Sequence, residues 1–339
     1  MVASAVDSAL RYRRASWQSR VRSHPAGPVT ILFVVMLAGC IVASLLLPEQ
    51  FRFLLPGNLS LVLRQIPNLG LVALGVGILM IAGEFDLSVG SVFVAAPFAT
   101  AVAYDAGVPF ALAVLIAIAI AVVIGLINAG ITLGFRIPSF ITTLGMLFIV
   151  RTAAPYIVDL YGGRKSLPFR PPEGFKEVLT VDVFGFLPAQ FIWFLLFAVL
   201  AYLLLNRHFL GNHFFAAGGD PKAAQFAGIN VNRTKTVAFV LSSVFATISG
   251  IFTITRVAVA QTNPQLFIEL YAVAICVIGG LSLFGGRGSV LGIVIGACVL
   301  QLVQDIILLA QLPGFYLDMF VGLMIVAGVV INQAIKRKY

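Results

Sequence analysis

Charge is scarce in this chain. Its 22 Lys and Arg and 13 Asp and Glu make up 10% of 339 residues, against about 25% in a typical soluble domain. With 60% apolar residues and a mean hydropathy of +1.05, that scarcity excludes a water-soluble globular domain. Cysteine is equally sparse, and Cys40, Cys276 and Cys298 all lie in apolar runs, so neither a disulfide framework nor a metal site is indicated. No G-x-x-x-x-G-K-[ST] occurs, so the chain carries no P-loop with which to hydrolyse ATP. His24, His208 and His213 fall in non-membrane segments, and no serine sits in a G-x-S-x-G elbow with a plausible base. An enzyme is not indicated.

What the chain has instead is apolar runs of membrane-crossing length. They predict an all-α integral membrane protein, a bundle of about ten transmembrane helices, some broken or re-entrant, rather than a barrel with its weak alternation. Spans are expected near residues 28–47, 60–82, 87–104, 109–133, 138–158, 189–206, 236–257, 267–284, 289–310 and 314–334. An even number puts both termini on one side. If that side is the cytoplasm, fourteen of the Lys and Arg lie inside and seven outside, so the excess of basic residues selects this orientation. The net charge of +9 is therefore a topology signal, and its scatter between spans argues against nucleic acid. The expected organisation is a basic cytoplasmic segment over 1–27, a transmembrane domain over 28–335 and a cytoplasmic tail over 336–339, with an external loop at 159–188 and a cytoplasmic loop at 207–235.

The cytoplasmic loop is among the few long stretches that lipid could not accept. In it Gly218-Gly219-Asp220-Pro221 leads into Lys222-Ala223-Ala224-Gln225-Phe226-Ala227-Gly228-Ile229, a short amphipathic pattern expected to place Ala223, Phe226 and Ile229 on one side, facing a groove on a soluble partner. Polar residues elsewhere are candidates for a pathway or for structure. Glu84, Asp86 and Ser88 stand at the junction of two apolar helices, where Asp86 and Ser88 also suit helix capping. Two depths are open for them: the interface, or the membrane interior on a broken helix. Arg151 lies far along the fifth span and is expected to pair with an acid. Ser243 and Thr247, with Ser249 and Thr253, add hydroxyls to the seventh span that suit either a polyhydroxylated solute or the helix's own backbone.

Small residues recur at helix-contact spacing, Ser242, Ala246 and Gly250 in the seventh span and Gly288, Gly292 and Gly296 in the ninth, and predict close helix packing. A weak internal similarity relates Ile81-Ala82-Gly83 and the Leu87–Val92 stretch to Ile278-Gly279-Gly280 and the Gly286–Gly292 stretch. Each is an apolar helix that ends near glycine, followed by a polar turn and a Gly/Ser-rich helix start.

Several ordered stretches carry a resemblance: G-E-F-D-L-S-V-G-S at 83–91, N-A-G at 128–130, I-P-S-F-I-T-T-L-G at 137–145, Arg151, G-G-D-P-K-A-A-Q-F-A-G-I-N-V at 218–231, E-L-Y-A-V-A-I-C-V-I-G-G at 269–280 and S-L-F-G-G-R-G-S-V-L-G at 282–292. Together they resemble the permease subunits of bacterial ATP-binding cassette importers of the ribose and simple-sugar, or monosaccharide, type. The resemblance covers nearly the whole chain after the basic N-terminus. It implies a bacterial inner-membrane protein that pairs with a second permease copy, cytoplasmic ATP-binding cassette subunits and a periplasmic solute-binding protein. It further implies no cofactor on this chain, with ATP used by the partner subunit, and a coupling role for the Gly218–Ile229 segment. Asn128 joins the candidate polar residues through its motif. Glu84-Phe85 departs from the Gly-Ile more usual there, and Thr152 from a common Gly, which leaves the sugar open. The alternatives are a branched-chain amino acid or nucleoside permease, and an ion-coupled secondary carrier. The carrier is disfavoured because Glu84, Asp86, Glu269 and Asp305 sit near plausible helix ends.

Overall fold

In lipid every backbone amide must find its partner within the chain, which leaves helices as the way for these apolar runs to cross. The computed structural model describes residues 26–160, 165–262 and 267–336. The basic segment before residue 26, Gly162, Gly163 and Arg164 of the loop expected to be external, and the tail beyond residue 336 lie outside the described residues. The helices are α1 (Gly27–Leu46), α2 (Pro56–Ile81), α3 (Val89–Asp105), α4 (Phe110–Gly134), α5 (Ser139–Arg151), α6 (Ala153–Leu160), α7 (Glu173–Thr180), α8 (Ala189–Asn206), α9 (Phe209–Gly219), α10 (Pro221–Phe226), α11 (Val231–Val257), α12 (Ile268–Ile278), α13 (Val290–Leu309) and α14 (Phe315–Lys336).

Among the described residues seven helical stretches are long and apolar enough to cross a membrane: α1, α2, α4, the α5–α6 stretch, α8, α11 and α13. Three shorter apolar helices, α3, α12 and the first part of α14, accompany them. The fold is thus an all-α membrane bundle with shortened members. The expected eighth span at 267–284 is the main departure. Its helix is only 11 residues long, about 16 Å, or half of a bilayer core of about 30 Å. It stops because Gly280, at φ +82°, turns the chain away.

Helix α11 is the hub, packed against α2, α3 and α4. Its predicted small face is used as expected. Gly250 lets the backbone of Phe93 approach, and a Cβ on Gly75 of α2 would lie 3.0 Å from the Ser242 Cα. On α13, Gly292 packs on the Gly279 backbone and Gly296 on that of Ile275. Gly288 precedes the helix and instead meets Leu281 and Ile81. Since lipid supplies no hydrophobic drive between helices, such close approach is where their association comes from.

The described residues between α6 and α8, 165–188, form short strands and one short helix and do not span. Strand β1 (Ser166–Pro168) pairs antiparallel with β4 (Val259–Gln261), and β2 (Asp182–Val183) with β3 (Leu187–Pro188), while an ion pair joins Arg64 of α2 to Asp182.

Two glycines of α4 separate packing from propensity. A Cβ on Gly125 would lie 2.7 Å from the Val240 Cα, whereas one on Gly130 meets nothing. Gly125→Ala is therefore expected to lower the melting temperature of the detergent-solubilised chain. Gly130→Ala should leave it equal or raise it, since Ala is favoured over Gly by up to about 1 kcal/mol in a helix. Equal shifts of one sign in both melts would contradict the packing.

Candidate functional site

The stretch from α9 to the start of α11 is built by side-chain caps. Asp220 Oδ1 accepts from the Lys222 and Ala223 amides at 3.0 Å each and starts α10, and Asn230 Oδ1 accepts from the Arg233 amide at 2.9 Å and starts α11. Gly218 and Gly219 are the last residues of α9 rather than a free turn. Helix α10 is shorter than the amphipathic pattern suggested, ending at Phe226, and Gly228 at φ +83° makes the turn that follows.

The expected face is corrected. Ala224 is buried and Ile229 half-buried, both in a small cluster with Ala217 and Val231, while Ala223 points outward and Phe226 is 93% exposed. A run of six helical residues cannot present Ala223, Phe226 and Ile229 together once the Gly228 turn swings Ile229 back toward α9. The outward surface is Lys222, Ala223, Gln225 and Phe226.

What anchors this segment is a glycine junction. Gly218 lies against the Ile81 carbonyl, Ala82 and the Gly286 amide, Gly83 packs on Gly218, and a Cβ on Gly285 would fall 2.7 Å from Gly83 Cα. Gly83, Gly285 and Gly286 all have positive φ, and the Gly286 amide donates to the Ile81 carbonyl at 2.9 Å. The weak internal similarity here acquires a geometry. The α2 end closes with Gly83 N–H to Met80 O and Glu84 N–H to Leu79 O. The α12 end closes in the same way, with Gly280 N–H to Val277 O and Leu281 N–H to Cys276 O. The loops that follow these two matched caps meet at Gly218.

Glu84 next to this junction accepts from Lys235 Nζ at 2.6 Å, and both side chains are largely buried. Helix α2 runs unbroken for 26 residues before the turn, about 39 Å, so Glu84 and Asp86 follow a helix long enough for the whole hydrocarbon core. An open groove of about 790 Å³ lies beside the pair, lined among others by Glu84, Arg136, Lys222, Gln225 and Asn232.

Asp86, Ser88 and Asn128 are brought together, all fully buried. Asp86 Oδ1 accepts from the Ser88 amide at 2.9 Å and from Ser88 Oγ at 2.6 Å, and Asn128 Nδ2 donates to Ser88 Oγ at 2.8 Å. Capping is thus done by Asp86. Ser88 stands at the N-cap position of α3 without making a cap bond itself. Two residues that sequence reasoning passed over hold this turn from α5: Ser139 Oγ accepts from the Phe85 amide at 3.0 Å and Thr143 Oγ1 from the Leu87 amide at 3.1 Å. Their i, i+4 spacing within the 137–145 motif was the available signal.

Arg151, at the end of α5, faces Glu269 of α12 at 4.0 Å, as expected of a cation within a span. Gly90 makes room for that carboxylate. Ser243 and Thr247 are buried in helix packing, and Thr247 donates to the Ser243 carbonyl at 3.1 Å. They are closed to solute in this arrangement, and Thr253 likewise donates to the Ser249 carbonyl and to Asn68.

The family described as branched-chain amino acid transport system / permease component matches residues 58–329, a range that takes in the glycine junction, the capped segment and both buried polar groups. The chain belongs to this family. It is a multi-pass membrane permease subunit of the ATP-binding cassette importer class, and such permease components are not themselves enzymes. Among its relatives is the autoinducer 2 import system permease protein LsrC of Enterobacter sp. (strain 638), 29% identical over 306 residues, covering 90% of this chain and 86% of that protein. The LsrC proteins of Yersinia pseudotuberculosis serotype O:1b (strain IP 31758) and Yersinia enterocolitica serotype O:8 / biotype 1B (strain NCTC 13174 / 8081) are each 29% identical over 266 residues. Both alignments cover 78% of this permease, and 74% and 72% of theirs. No solved structure matches it.

The Glu84–Lys235 pair gives a test of the junction. Glu84→Gln or Lys235→Met alone leaves a largely buried charge without its partner and is expected to cost about 3 kcal/mol, read as a lower melting temperature in detergent. The double substitution should cost less than the sum, a coupling of about 1 kcal/mol or more. Strict additivity would mean that the two side chains do not interact.

Proposed function

We propose that this chain is the translocation subunit of an importer for a monosaccharide or similar small polyhydroxylated solute, delivered by a periplasmic binding protein. In this reading two permease copies, identical or paralogous, form the pathway in the bacterial inner membrane, with both termini and the 207–235 loop in the cytoplasm. ATP is bound and hydrolysed by separate cytoplasmic subunits, and this chain holds no cofactor. The balance of basic residues supports the orientation. The ordered motifs, and the import role in the printed names of the relatives, support a sugar-like solute. A branched-chain amino acid is the second reading, favoured by the family's description.

The observation that carries the proposal is the placement of Phe226. It stands 93% exposed on a six-residue helix whose root is wedged, through Gly218, between the ends of α2 and the loop before α13. A large aromatic side chain left outside lipid and outside the fold suits a pocket on a partner. With no compliant side chains at its root, the segment passes a displacement from closing ATPase subunits directly to α2, α11 and α13, shifting the population between outward- and inward-open states.

The same geometry selects the substitution. Gly228→Arg would strain a turn held at φ +83°, so it would disturb the fold and the docking together. Phe226→Ala leaves the chain's own packing untouched. It is expected to weaken association with the ATPase subunits by roughly 2 kcal/mol, or about 30-fold, and to lower ATP-driven uptake, with unchanged membrane insertion and melting temperature. Undiminished co-purification of the ATPase and normal uptake would overturn the docking role.

A further inference from the structure

At the end of the bundle opposite the glycine junction, α2, α13 and the start of α14 enclose a cavity of about 360 Å³, within the range of about 300–1,000 Å³ typical of small-molecule sites. Its polar lining is Asn58 and Gln65 from α2 and Gln301, Gln304 and Asp305 from α13, set in a larger apolar wall of Leu61, Val62, Ile307, Leu308, Leu312 and Leu317. Gln301 is 6% exposed and Asp305 4%. Among the described residues Asp305 accepts one hydrogen bond, from Asn58 Nδ2 at 3.0 Å. A carboxylate has about four lone-pair sites, so most of its acceptor capacity is unused. The Gln301 amide has no hydrogen-bond partner among the described residues. Gln301 lies eight residues from the end of α13 and Gln65 nine from the start of α2, about 12–14 Å in from the helix ends. The Gln301 amide is open to the cavity rather than sealed in packing, as polar side chains within spans face cavities or pathways.

We propose that this cavity is a reception site for the transported solute, and that the solute it takes is an uncharged polyhydroxylated ring. The site deepens the importer reading and rests on it. Amide groups both donate and accept, and Asp305 accepts, so the lining offers the mixed set that adjacent hydroxyls need. Among the described residues no Lys, Arg or His lines the cavity. The carboxylate of an amino acid would therefore find no cation there and would meet Asp305, whereas a sugar hydroxyl finds either polarity it needs. The missing cation thus speaks against the branched-chain amino acid alternative, although the aliphatic wall would accept its side chain. The cavity lies at the end of α2 and α13 away from Phe226. If Phe226 faces the cytoplasm, that is the side from which a binding protein hands over its cargo.

The test reads binding to the full chain in detergent by saturation-transfer NMR, so that it does not depend on ATP-driven transport. The probes are D-ribose, D-xylose, D-galactose and L-leucine, with the wild type compared with Gln301→Leu and Gln304→Leu. Leu conserves most of the volume, and Gln304 is only half-buried, so at least this second variant is expected to fold with an unchanged melting temperature. One or more of the sugars should give a signal with the wild type that falls about 5-fold or more in each folded variant, the loss expected from one or two hydrogen bonds. A signal equal in wild type and variants, no signal from any of the three sugars, or a leucine signal that Gln301→Leu removes would each overturn the site. Uptake separates this failure from that of the importer reading. Wild-type chain that imports a sugar with ATP, together with variants that import it equally well, sinks the cavity alone. Absence of ATP-driven uptake in the wild type, with sugar binding intact, sinks the importer reading and leaves the cavity a sugar site without a transport role.

Discussion

Backbone meeting backbone at Gly218 is the constraint on which the rest of this structure depends. Three chain segments converge there: the end of α9, the turn after α2 and the loop before α13. At that distance no side chain fits on any of them. Positive φ at Gly83, Gly285 and Gly286 lets two of the segments turn sharply enough to arrive. The result is a joint without compliant side chains, and close-packed interiors transmit displacement rather than absorb it. The exposed helix α10 is consequently an extension of the bundle and not a loose loop.

The same economy of side chains runs through the membrane interior. Helices that cannot gain from expelling water associate through small residues and a few polar contacts. This chain does both, with Gly75, Gly125 and Gly250 admitting neighbouring backbones while Thr247 and Thr255 return to their own helix's carbonyls and Ser249 and Thr253 reach Asn68 of another helix. Charged groups follow suit. Arg151 has Glu269, Lys235 has Glu84, and Arg64 has Asp182. The exception in character is the cavity beside Gln301, where only Asn58 and Asp305 pair and the Gln301 amide faces open space.

Much of the fold was legible from composition because hydropathy and length are local properties. The boundaries of α1, α4, α8 and α13 fall within a residue or so of those expected. The eighth span was overdrawn because Gly279 to Phe284 is apolar enough to look like helix, while the positive φ at Gly280 ends it. The outward face of α10 was misplaced for a related reason. Periodicity assumes that the helix continues, and Gly228 breaks it before Ile229. The pairing of Arg151 with an acid was readable from the cost of a charge in lipid. That the acid is Glu269 was not, because 117 positions separate them.

By itself the sequence determined the class of the protein, most of its long apolar helices and, through ordered motifs, its family, since each rests on local chemistry or on residue order. The tertiary structure decided which residues meet. It brought Gly83, Gly218 and Gly285 into one joint, closed Ser243 and Thr247 against solute, left Phe226 standing outside, and gathered Asn58, Gln65, Gln301, Gln304 and Asp305 around one space. Those are contacts between residues far apart in the chain. Nothing in local propensity or periodicity encodes them, because they follow from how whole helices pack.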